Sequence, residues 1–255
     1  MAKTALRFMN FASSAMTRLL SNSCMLILNS CANFAQLALP QHCLLCAAPA
    51  NAMSVCEDCY RQLPWLTANR CPQCALPTYN GNVCGACISH PPRFDAVRAA
   101  FAYAWPLAPL IRHYKYAGNL ALARLLARAL TARITGSDID LLIPMPLAPM
   151  RLRSRGFNQA LEIARIVGRL TNIVVAPNAC RRVGDNVPQA VLPWKERAKN
   201  IRGAFVCDAN LSGMRVAVID DVMTTGATLN ELARNLRRAG AIEIQGWMVA
   251  RTLPR

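Results

Sequence analysis

Eight of the twelve cysteines stand in C-x-x-C pairs, and this arrangement constrains the fold of the N-terminal third of the chain more than any other feature. Nine residues separate the first pair from the second and the third from the fourth, and the second unit begins 28 residues after the first, which indicates an internal duplication. A two-residue spacer aims both sulfurs of a pair at one ion, so that two pairs complete a tetrahedral site. The predicted ligands of structural zinc are Cys43, Cys46, Cys56, Cys59, Cys71, Cys74, Cys84 and Cys87.

Two other arrangements of these thiols compete with zinc. A disulfide framework requires an oxidising compartment, and thioredoxin-like redox pairs occur singly at a helix start, so neither explains four evenly repeated pairs. The spacing leaves open whether the pairs combine sequentially or crosswise, although the equal nine-residue gaps favour the sequential arrangement. Four further cysteines follow no pairing pattern and are predicted to be small buried apolar residues: Cys24, Cys31, Cys180 and Cys207.

The net charge of +16, from 29 Lys and Arg against 13 Asp and Glu, indicates polyanionic partners such as nucleic acid, phosphorylated metabolites or an anionic membrane surface. Residues 96–137 contain six Lys or Arg and no acid. No run of eighteen apolar residues is present, which disfavours an integral membrane protein.

We divide the chain into a basic tail, residues 1–39, a double zinc-ribbon module, residues 40–90, and an α/β domain, residues 95–255. The tail has no acid and is predicted to be poorly ordered. Its composition is that of a mitochondrial transit peptide, but translation from Met16 or Met25 and a frayed amphipathic tail are alternatives.

The α/β domain alternates predicted strands with predicted helices. Strands are expected in "AVRAAFAYAW", "DLLIPMP", "NIVVA", "RVAVID" and "AIEIQGWMVA", and helices in "NLALARLLARALTARI", "NQALEIARIVGRL" and "ATLNELARNLRRAG". Strands separated by helices of this length predict an α/β fold with a doubly wound, mostly parallel sheet. Ligands of such sheets bind at the carboxyl ends of the strands.

The stretch "VAVIDDVMTTGATL", residues 216–229, combines a buried strand, two adjacent acids, a tight turn and a helix start. A glycine-containing loop before a helix presents backbone N–H groups and the positive end of the helix dipole to an anion such as a phosphate. Two carboxylates would repel that phosphate unless they bind another part of the same ligand, and a ribose diol, which donates hydrogen bonds, fits. The expected ligand is therefore a ribose 5-phosphate group.

The same stretch resembles the signature that type I phosphoribosyltransferases use to bind 5-phosphoribosyl 1-pyrophosphate (PRPP). The resemblance implies that Asp220 and Asp221 hold the ribose hydroxyls. It implies further that the 5′-phosphate is held by Thr224, Thr225, Gly226 and Thr228.

Further segments resemble the ComF family of competence-associated, phosphoribosyltransferase-like proteins. These are "LLIPMPLAPMRLRSRGFNQALEIA", "HYKYAGN", "VPQAVLPWKERAKNIRGAF" and the cysteine-rich N-terminal module, and the resemblance covers about residues 35–254. It implies a type I phosphoribosyltransferase fold and a role in the uptake of transforming DNA. We expect a cytoplasmic location.

The leaving pyrophosphate of PRPP requires positive charge from Mg²⁺, held mostly by substrate oxygens, and from cationic side chains. The turn after "DLLIPMP" is placed like the pyrophosphate loop of this fold, so Arg151 and Arg155 are the first candidates and Lys115 is the third. Gln189, Arg197 and Asn200 stand where related enzymes carry a mobile lid.

Two hypotheses about function remain open at this point. In the first, the protein is an enzyme that transfers the 5-phosphoribosyl group of PRPP to a nitrogen nucleophile and releases pyrophosphate. In the second, it is a non-catalytic PRPP sensor or a module that binds single-stranded DNA or the DNA-uptake machinery. Hydrolysis by a nucleophilic triad is disfavoured, because the three histidines form no such constellation.

Overall fold

The structure is a computed structural model that describes residues 41–50, 54–134, 136, 138–183 and 201–254. The chain divides into two compact units, Met1–Cys56 and Glu57–Arg255. Predictions for the basic tail, for Cys24 and Cys31 and for the lid residues Gln189, Arg197 and Asn200 lie outside the described residues.

The first unit contains a short antiparallel ribbon of two strands, β1 (Gln41–His42) and β2 (Pro49–Ala50), which holds the first cysteine turn. The N–H of Cys43 donates to the carbonyl of Ala48 at 2.7 Å, and the N–H of Ala47 donates to the carbonyl of Cys43 at 2.9 Å. Ala47 has a positive φ of 60°.

The second cysteine turn, in the second unit, repeats this geometry 28 residues later. The N–H of Cys71 donates to the carbonyl of Leu76 at 2.8 Å, that of Ala75 donates to the carbonyl of Cys71 at 2.9 Å, and Ala75 has a φ of 58°. The repeated spacing in the sequence therefore corresponds to a repeated backbone turn.

The second unit also contains the α/β domain. The helices of the second unit are α1 (Glu57–Arg61), α2 (Gly85–Ser89), α3 (Leu107–Ala117), α4 (Ala121–Thr131), α5 (Pro149–Arg155), α6 (Gln159–Thr171) and α7 (Ala227–Arg238). Its strands are β3 (Ala96–Ala102), β4 (Leu141–Pro144), β5 (Val174–Val175), β6 (Cys180–Arg182), β7 (Phe205–Cys207), β8 (Arg215–Met223) and β9 (Glu243–Arg251).

Five strands form one parallel sheet in the order β3-β9-β8-β4-β5. Successive residues of β8 and β9 are buried, as expected for central parallel strands that helices cover on both faces. Val216 and Val218 of β8 cluster with Leu229, Leu232 and Leu236 of α7 on one face, whereas α4 and α6 pack against each other and the sheet. The predicted α/β class, with a small cysteine-rich module at the N-terminal end, is confirmed.

The order of the strands places a crevice between β4 and β8. The chain leaves β4 through α6 to β5 on one side and leaves β8 through α7 to β9 on the other. The two connections diverge, and such a switch point is where open parallel sheets bind their ligands.

Three details differ from the sequence analysis. Strand β8 continues through both acids to Met223, because Val222 and Met223 still pair with Ala250 and Arg251 of β9. The segments of Lys115 and of Arg151 and Arg155, which were expected to be loops, are helical.

The third difference concerns Cys180 and Cys207, which were predicted to be unpaired and are joined by a disulfide. They lie directly opposite each other in the antiparallel ribbon β6–β7, with Cα atoms 4.1 Å apart. Their side chains therefore meet although the two residues are 27 positions apart in the sequence.

In the part of the chain that the structure describes, no helix is both long enough and apolar enough to span a bilayer.

Candidate functional site

Most of the predicted ribose, phosphate and pyrophosphate residues line one cavity at the carboxyl ends of β4 and β8, whereas Thr225 and Gly226 line a separate cavity. The cavity has a volume of about 250 Å³. Its lining includes predicted residues from several elements and the β8–α7 loop: Lys115, Arg151, Arg155, Asp220, Asp221, Thr224 and Thr228. Residues far apart in the sequence thus share the crevice that the strand order creates.

The two adjacent acids have different surroundings. Asp221 is buried and forms an ion pair with Lys115, whose Nζ lies 2.8 Å from its Oδ2. Asp220 is partly buried, and its Oδ1 accepts the backbone N–H of Asp221 at 2.8 Å. Loss of hydration, reinforced by the charge of Asp221 and opposed by that of Lys115, raises the pKa of Asp220 to about 7.

The loop between β8 and α7 has the geometry of an anion cradle. Gly226 has a φ of +85°, a conformation that side chains disfavour, and it immediately precedes α7. The Oγ1 of Thr225 accepts the N–H of Ala227 at 3.0 Å, which fixes the first turn of the helix. A small space of about 30 Å³ lies beside the loop, and its lining includes Asp220, Thr224, Gly226 and Thr228 together with apolar side chains of the neighbouring core. Backbone N–H groups of the first turn have no partner within the helix and can bind an anion there.

Two predicted cations lie on the short helix α5, which was expected to be a turn. Pro149 is its first residue, and Gly156 ends it with a φ of 76°. Arg151 and Arg155 both line the cavity. The guanidinium of Arg155 stacks over the ring of Tyr116 at 5.2 Å, and its buried Nη1 has no hydrogen-bond partner among the described residues. A buried donor of this kind is costly unless a ligand accepts from it.

The sequence analysis missed further polar residues of the cavity, among them Gln159 and Arg182. Gln159, the first residue of α6, is 6% exposed, and its Oε1 finds no partner among the described residues. Its carbonyl accepts the Tyr114 hydroxyl at 2.8 Å. Arg182, the last residue of β6, also lines the cavity, and its guanidinium stacks on the ring of Phe205 at 5.7 Å.

Both residues lie in segments that the sequence analysis had singled out, but neither was itself marked as part of a site. Gln159 stands in "RGFNQA", directly after Asn158, whose side chain caps α6 by accepting the N–H of Ala160 at 3.0 Å. Arg182 stands near the start of the basic stretch of residues 181–202. Nothing in the sequence distinguishes either from a surface residue, because only the fold brings them to the crevice.

The cysteines gather as the sequential arrangement predicts. In the second unit, the sulfurs of Cys71, Cys74, Cys84 and Cys87 all lie within 4.8 Å of one another. In the first unit, those of Cys43, Cys46 and Cys56 lie within the same distance, while Cys59 is on α1 in the second unit.

The distances between these sulfurs and the acidity of two of the thiols suit zinc. Sulfurs of different pairs approach to 3.6 Å, from Cys46 to Cys56 and from Cys74 to Cys84. Tetrahedral zinc with bonds of about 2.3 Å requires a comparable separation. Burial raises the thiol pKa of Cys43 and Cys71, but backbone N–H groups that face the sulfurs outweigh it and lower the pKa to about 6 and about 7. Both thiols are therefore prepared to bind a cation as thiolates.

Comparisons with known proteins agree with this combination of parts. Residues 34–88 match the model of a double zinc ribbon domain. DNA utilization protein YhgH of Escherichia coli K12 is 32% identical over 227 residues, which cover 85% of this chain and 100% of the relative. The chain belongs to the ComF family. Competence protein F of Haemophilus influenzae, another ComF relative, is 32% identical over 77% of this chain and 90% of its own.

Solved structures that resemble this ComF-family chain include adenine phosphoribosyltransferase from Thermoanaerobacter pseudethanolicus. It aligns with a TM-score of 0.33 at 20% identity, over 51% of this chain and 70% of that one.

Proposed function

We propose that this ComF-family protein binds PRPP in the 250 Å³ cavity and transfers its 5-phosphoribosyl group to a nitrogen nucleophile. One observation carries the proposal: an anion-cradling loop, a pair of acids and a set of cations share one cavity at the switch point of the sheet. A ligand that fills all three parts must carry a phosphate, a diol and a second anionic group. PRPP has that composition.

Each part of the cavity has a separate role in this proposal. The loop of Thr224 and Gly226 and the first turn of α7 hold the 5′-phosphate. Asp220 and Asp221 accept hydrogen bonds from the ribose hydroxyls. The pyrophosphate is held by the cations that line the rest of the cavity: Lys115, Arg151, Arg155 and Arg182.

Transfer breaks the bond between C1 of the ribose and the pyrophosphate oxygen while the acceptor nitrogen forms a bond to C1. The bonding electron pair leaves with pyrophosphate, and the acceptor nitrogen loses a proton to the surrounding solvent. Arg151 and Arg155 stabilise the charge that builds on the leaving group, and Asp220 and Asp221 stabilise the positive charge that develops on the ribose. The carboxylates are oxygen donors that suit Mg²⁺, which would arrive with PRPP and neutralise further charge on the pyrophosphate.

Lys115 changes partners in this scheme. Its ion pair with Asp221 neutralises a buried carboxylate in the absence of ligand. When the diol and the cation that accompanies PRPP approach Asp221, the ammonium is free to turn toward the pyrophosphate. Lys115 is therefore expected to contribute to the affinity for pyrophosphate more than to that for ribose 5-phosphate.

The test of the transferase is the release of pyrophosphate from PRPP with Mg²⁺, measured with and without candidate nitrogen acceptors. The wild type should release pyrophosphate in an acceptor-dependent manner, and the double variant Asp220→Asn with Asp221→Asn should not. Equal release by the two proteins would refute the proposal.

Single-stranded DNA binding is a second candidate function, supported by an arginine–aromatic cluster on the second unit. The ring of Trp65 contacts that of Tyr60 at 5.3 Å, and the guanidinium of Arg133 stacks over Trp65 at 5.3 Å. Burial and the charge of Glu57 raise the pKa of the Tyr60 hydroxyl, and the nearby charges of Arg128 and Arg133 oppose that rise. Partly exposed rings beside arginines are the elements that stack bases and pair with phosphates in single-strand binders.

The names of the relatives, which refer to competence and DNA utilization, agree with such an interaction. It is tested by fluorescence anisotropy with a labelled oligonucleotide over a range of salt concentrations. Replacement of Arg128 and Arg133 by Ala should weaken binding and reduce the salt slope by about 0.7 for each phosphate that the variant no longer neutralises. The matched control replaces the exposed Arg169 and Arg238 by Ala, and an equal decrease in affinity in both variants would eliminate this surface.

A further inference from the structure

Arg251 connects the second cysteine cluster to the loop that faces the candidate phosphate site. It is the last residue of β9 and is 4% exposed. Its Nε donates to the carbonyl of Cys74 at 2.9 Å. Its Nη1 donates to the carbonyl of Met223 at 3.1 Å and to that of Thr224. One guanidinium therefore bonds a residue of the cysteine cluster on one side and the start of the loop on the other.

The charge of Arg251 is not balanced by a carboxylate, since it forms no salt bridge within the described residues. The guanidinium instead lies against the second cysteine cluster, because its Nε bonds the carbonyl of Cys74, and Arg251, Cys74 and Cys87 line the same cavity. Four thiolates around one Zn²⁺ carry a net charge of about −2. Zinc at this cluster would thus supply the counter-charge that a buried guanidinium requires.

The loop borders an open space on the side of Arg251. A cavity of about 400 Å³ lies there, between the cysteine cluster and the loop, and its lining includes Phe94, Met223, Gly226 and Arg251. Hydrogen bonds from Arg251 to the carbonyls of Met223 and Thr224 restrain the start of the loop, together with the bond from the N–H of Thr252 to the carbonyl of Met223 at 2.9 Å.

We propose that Arg251 couples zinc at the second cysteine cluster to the binding of a sugar phosphate by the loop, so that each ligand strengthens the binding of the other. The inference rests on the proposed PRPP site and assigns Arg251 as a positioning residue. Coupling between two sites is reciprocal, so it can be measured from either ligand.

The direct test measures zinc release from the full-length, zinc-loaded wild type with a zinc-selective chromogenic chelator, with and without saturating PRPP and Mg²⁺. The same measurement is made on Cys46→Ser, which lacks a predicted ligand of the first cluster, so that only the zinc of the second cluster is followed. At equilibrium with the chelator, PRPP should raise the affinity of the protein for this zinc by about fivefold or more, within the usual range of coupling between sites. The double variant Asp220→Asn with Asp221→Asn, which should not bind PRPP, corrects for zinc that PRPP itself chelates.

The second test uses Arg251→Lys, since an ammonium keeps the charge but cannot bond both sides as the guanidinium fork does. We expect this variant to lose most of the effect of PRPP on zinc release and to bind PRPP about tenfold more weakly by calorimetry. Arg238→Lys, at an exposed position of α7, is the matched control and should behave as the wild type.

The outcomes separate this inference from the proposed function. If calorimetry detects PRPP binding to the wild type but PRPP leaves zinc release unchanged, the coupling is wrong and the PRPP site stands. If zinc-loaded wild type does not bind PRPP, both are wrong. Full coupling in Arg251→Lys would remove Arg251 from the connection. Because the wild-type measurement needs no Arg251 variant, a variant that fails to fold does not prevent the test.

Discussion

Asp220 and Asp221 are neighbours in the chain, but they are held in different electrostatic environments. Asp221 is buried with a cation 2.8 Å away, whereas burial and the charge of its neighbour raise the pKa of Asp220 to about 7. A carboxyl with that pKa is only partly ionised near neutral pH, and this makes ligand binding at the pair sensitive to pH.

The first prediction concerns the pH dependence of PRPP binding. A ribose diol donates hydrogen bonds and Mg²⁺ requires anionic oxygens, so the ionised form of Asp220 is the binding form. Calorimetric titrations should show affinity that rises from pH 6 to pH 8 and levels off above the pKa of Asp220. Below that pKa the ionised fraction falls about tenfold for each pH unit. Asp220→Asn should abolish the rise that belongs to Asp220, and an unchanged pH profile in this variant would contradict the assignment.

The second prediction concerns stability. The folded state binds a proton at Asp220 up to about pH 7, whereas the unfolded chain loses that proton near its ordinary value of 3.8. Stability therefore falls as pH rises between these two values, and the full cost is present above pH 7. Asp220→Asn should raise the melting temperature at pH 8 and leave it nearly unchanged at pH 4. If the melting temperature of the variant at pH 8 were equal to or lower than that of the wild type, this prediction would be wrong.

At the scale of elements, the loop between β8 and α7 depends on one backbone conformation. Gly226 has a φ of +85°, and a Cβ there would lie 2.6 Å from the Cε of Met223. A left-handed conformation costs a non-glycine residue about 1–2 kcal/mol. The chain can avoid that cost only by moving the loop.

The third prediction is that Gly226→Ala weakens PRPP binding about tenfold and lowers the free energy of unfolding by about 1–2 kcal/mol. Gly213→Ala is the matched control, because Gly213 has a φ of +75° and open space around its Cα. The control should lose similar stability in denaturant titrations while it keeps the PRPP affinity of the wild type. If both variants bound PRPP equally well, the loop would not be the phosphate site.

The sheet and three long helices follow from sequence periodicity, whereas α3 and α5 do not. Both missed helices contain prolines in their first turn, Pro109 in α3 and Pro149 in α5. At that position the missing N–H costs no hydrogen bond, so proline does not prevent a helix. Gly118 and Gly156, with left-handed backbones, end these helices.

The parts of the candidate site that lie within one contiguous segment could be predicted from the sequence. The two acids, the threonine loop and the cysteine pairs each form a contiguous pattern with its own chemistry. Gln159 and Arg182 belong to no such pattern, and the ion pair of Lys115 with Asp221 joins residues 106 positions apart (221 minus 115). Such contacts depend on the order of strands in the sheet.

At the scale of the whole molecule, zinc bound by the two cysteine clusters would provide folding energy that small segments with little core lack. The fourth prediction is that purified protein contains about two zinc ions per chain by mass spectrometry of metals, and that Cys46→Ser contains about one. Removal of zinc by a chelator should lower the melting temperature, because metal bound only by the folded chain stabilises it by linkage. A metal-free protein with an unchanged melting temperature would exclude structural zinc.

The central claim is that the crevice between β4 and β8 binds an activated ribose phosphate. Its most direct measurement is a thermal-shift titration of the zinc-loaded protein with PRPP and Mg²⁺, beside the double variant Asp220→Asn with Asp221→Asn. The wild type should gain about 2.7 kcal/mol of stability at a PRPP concentration one hundred times Kd, seen as a rising melting temperature, and the variant should gain little. A folded, zinc-loaded wild type whose melting temperature does not respond to PRPP would contradict the account.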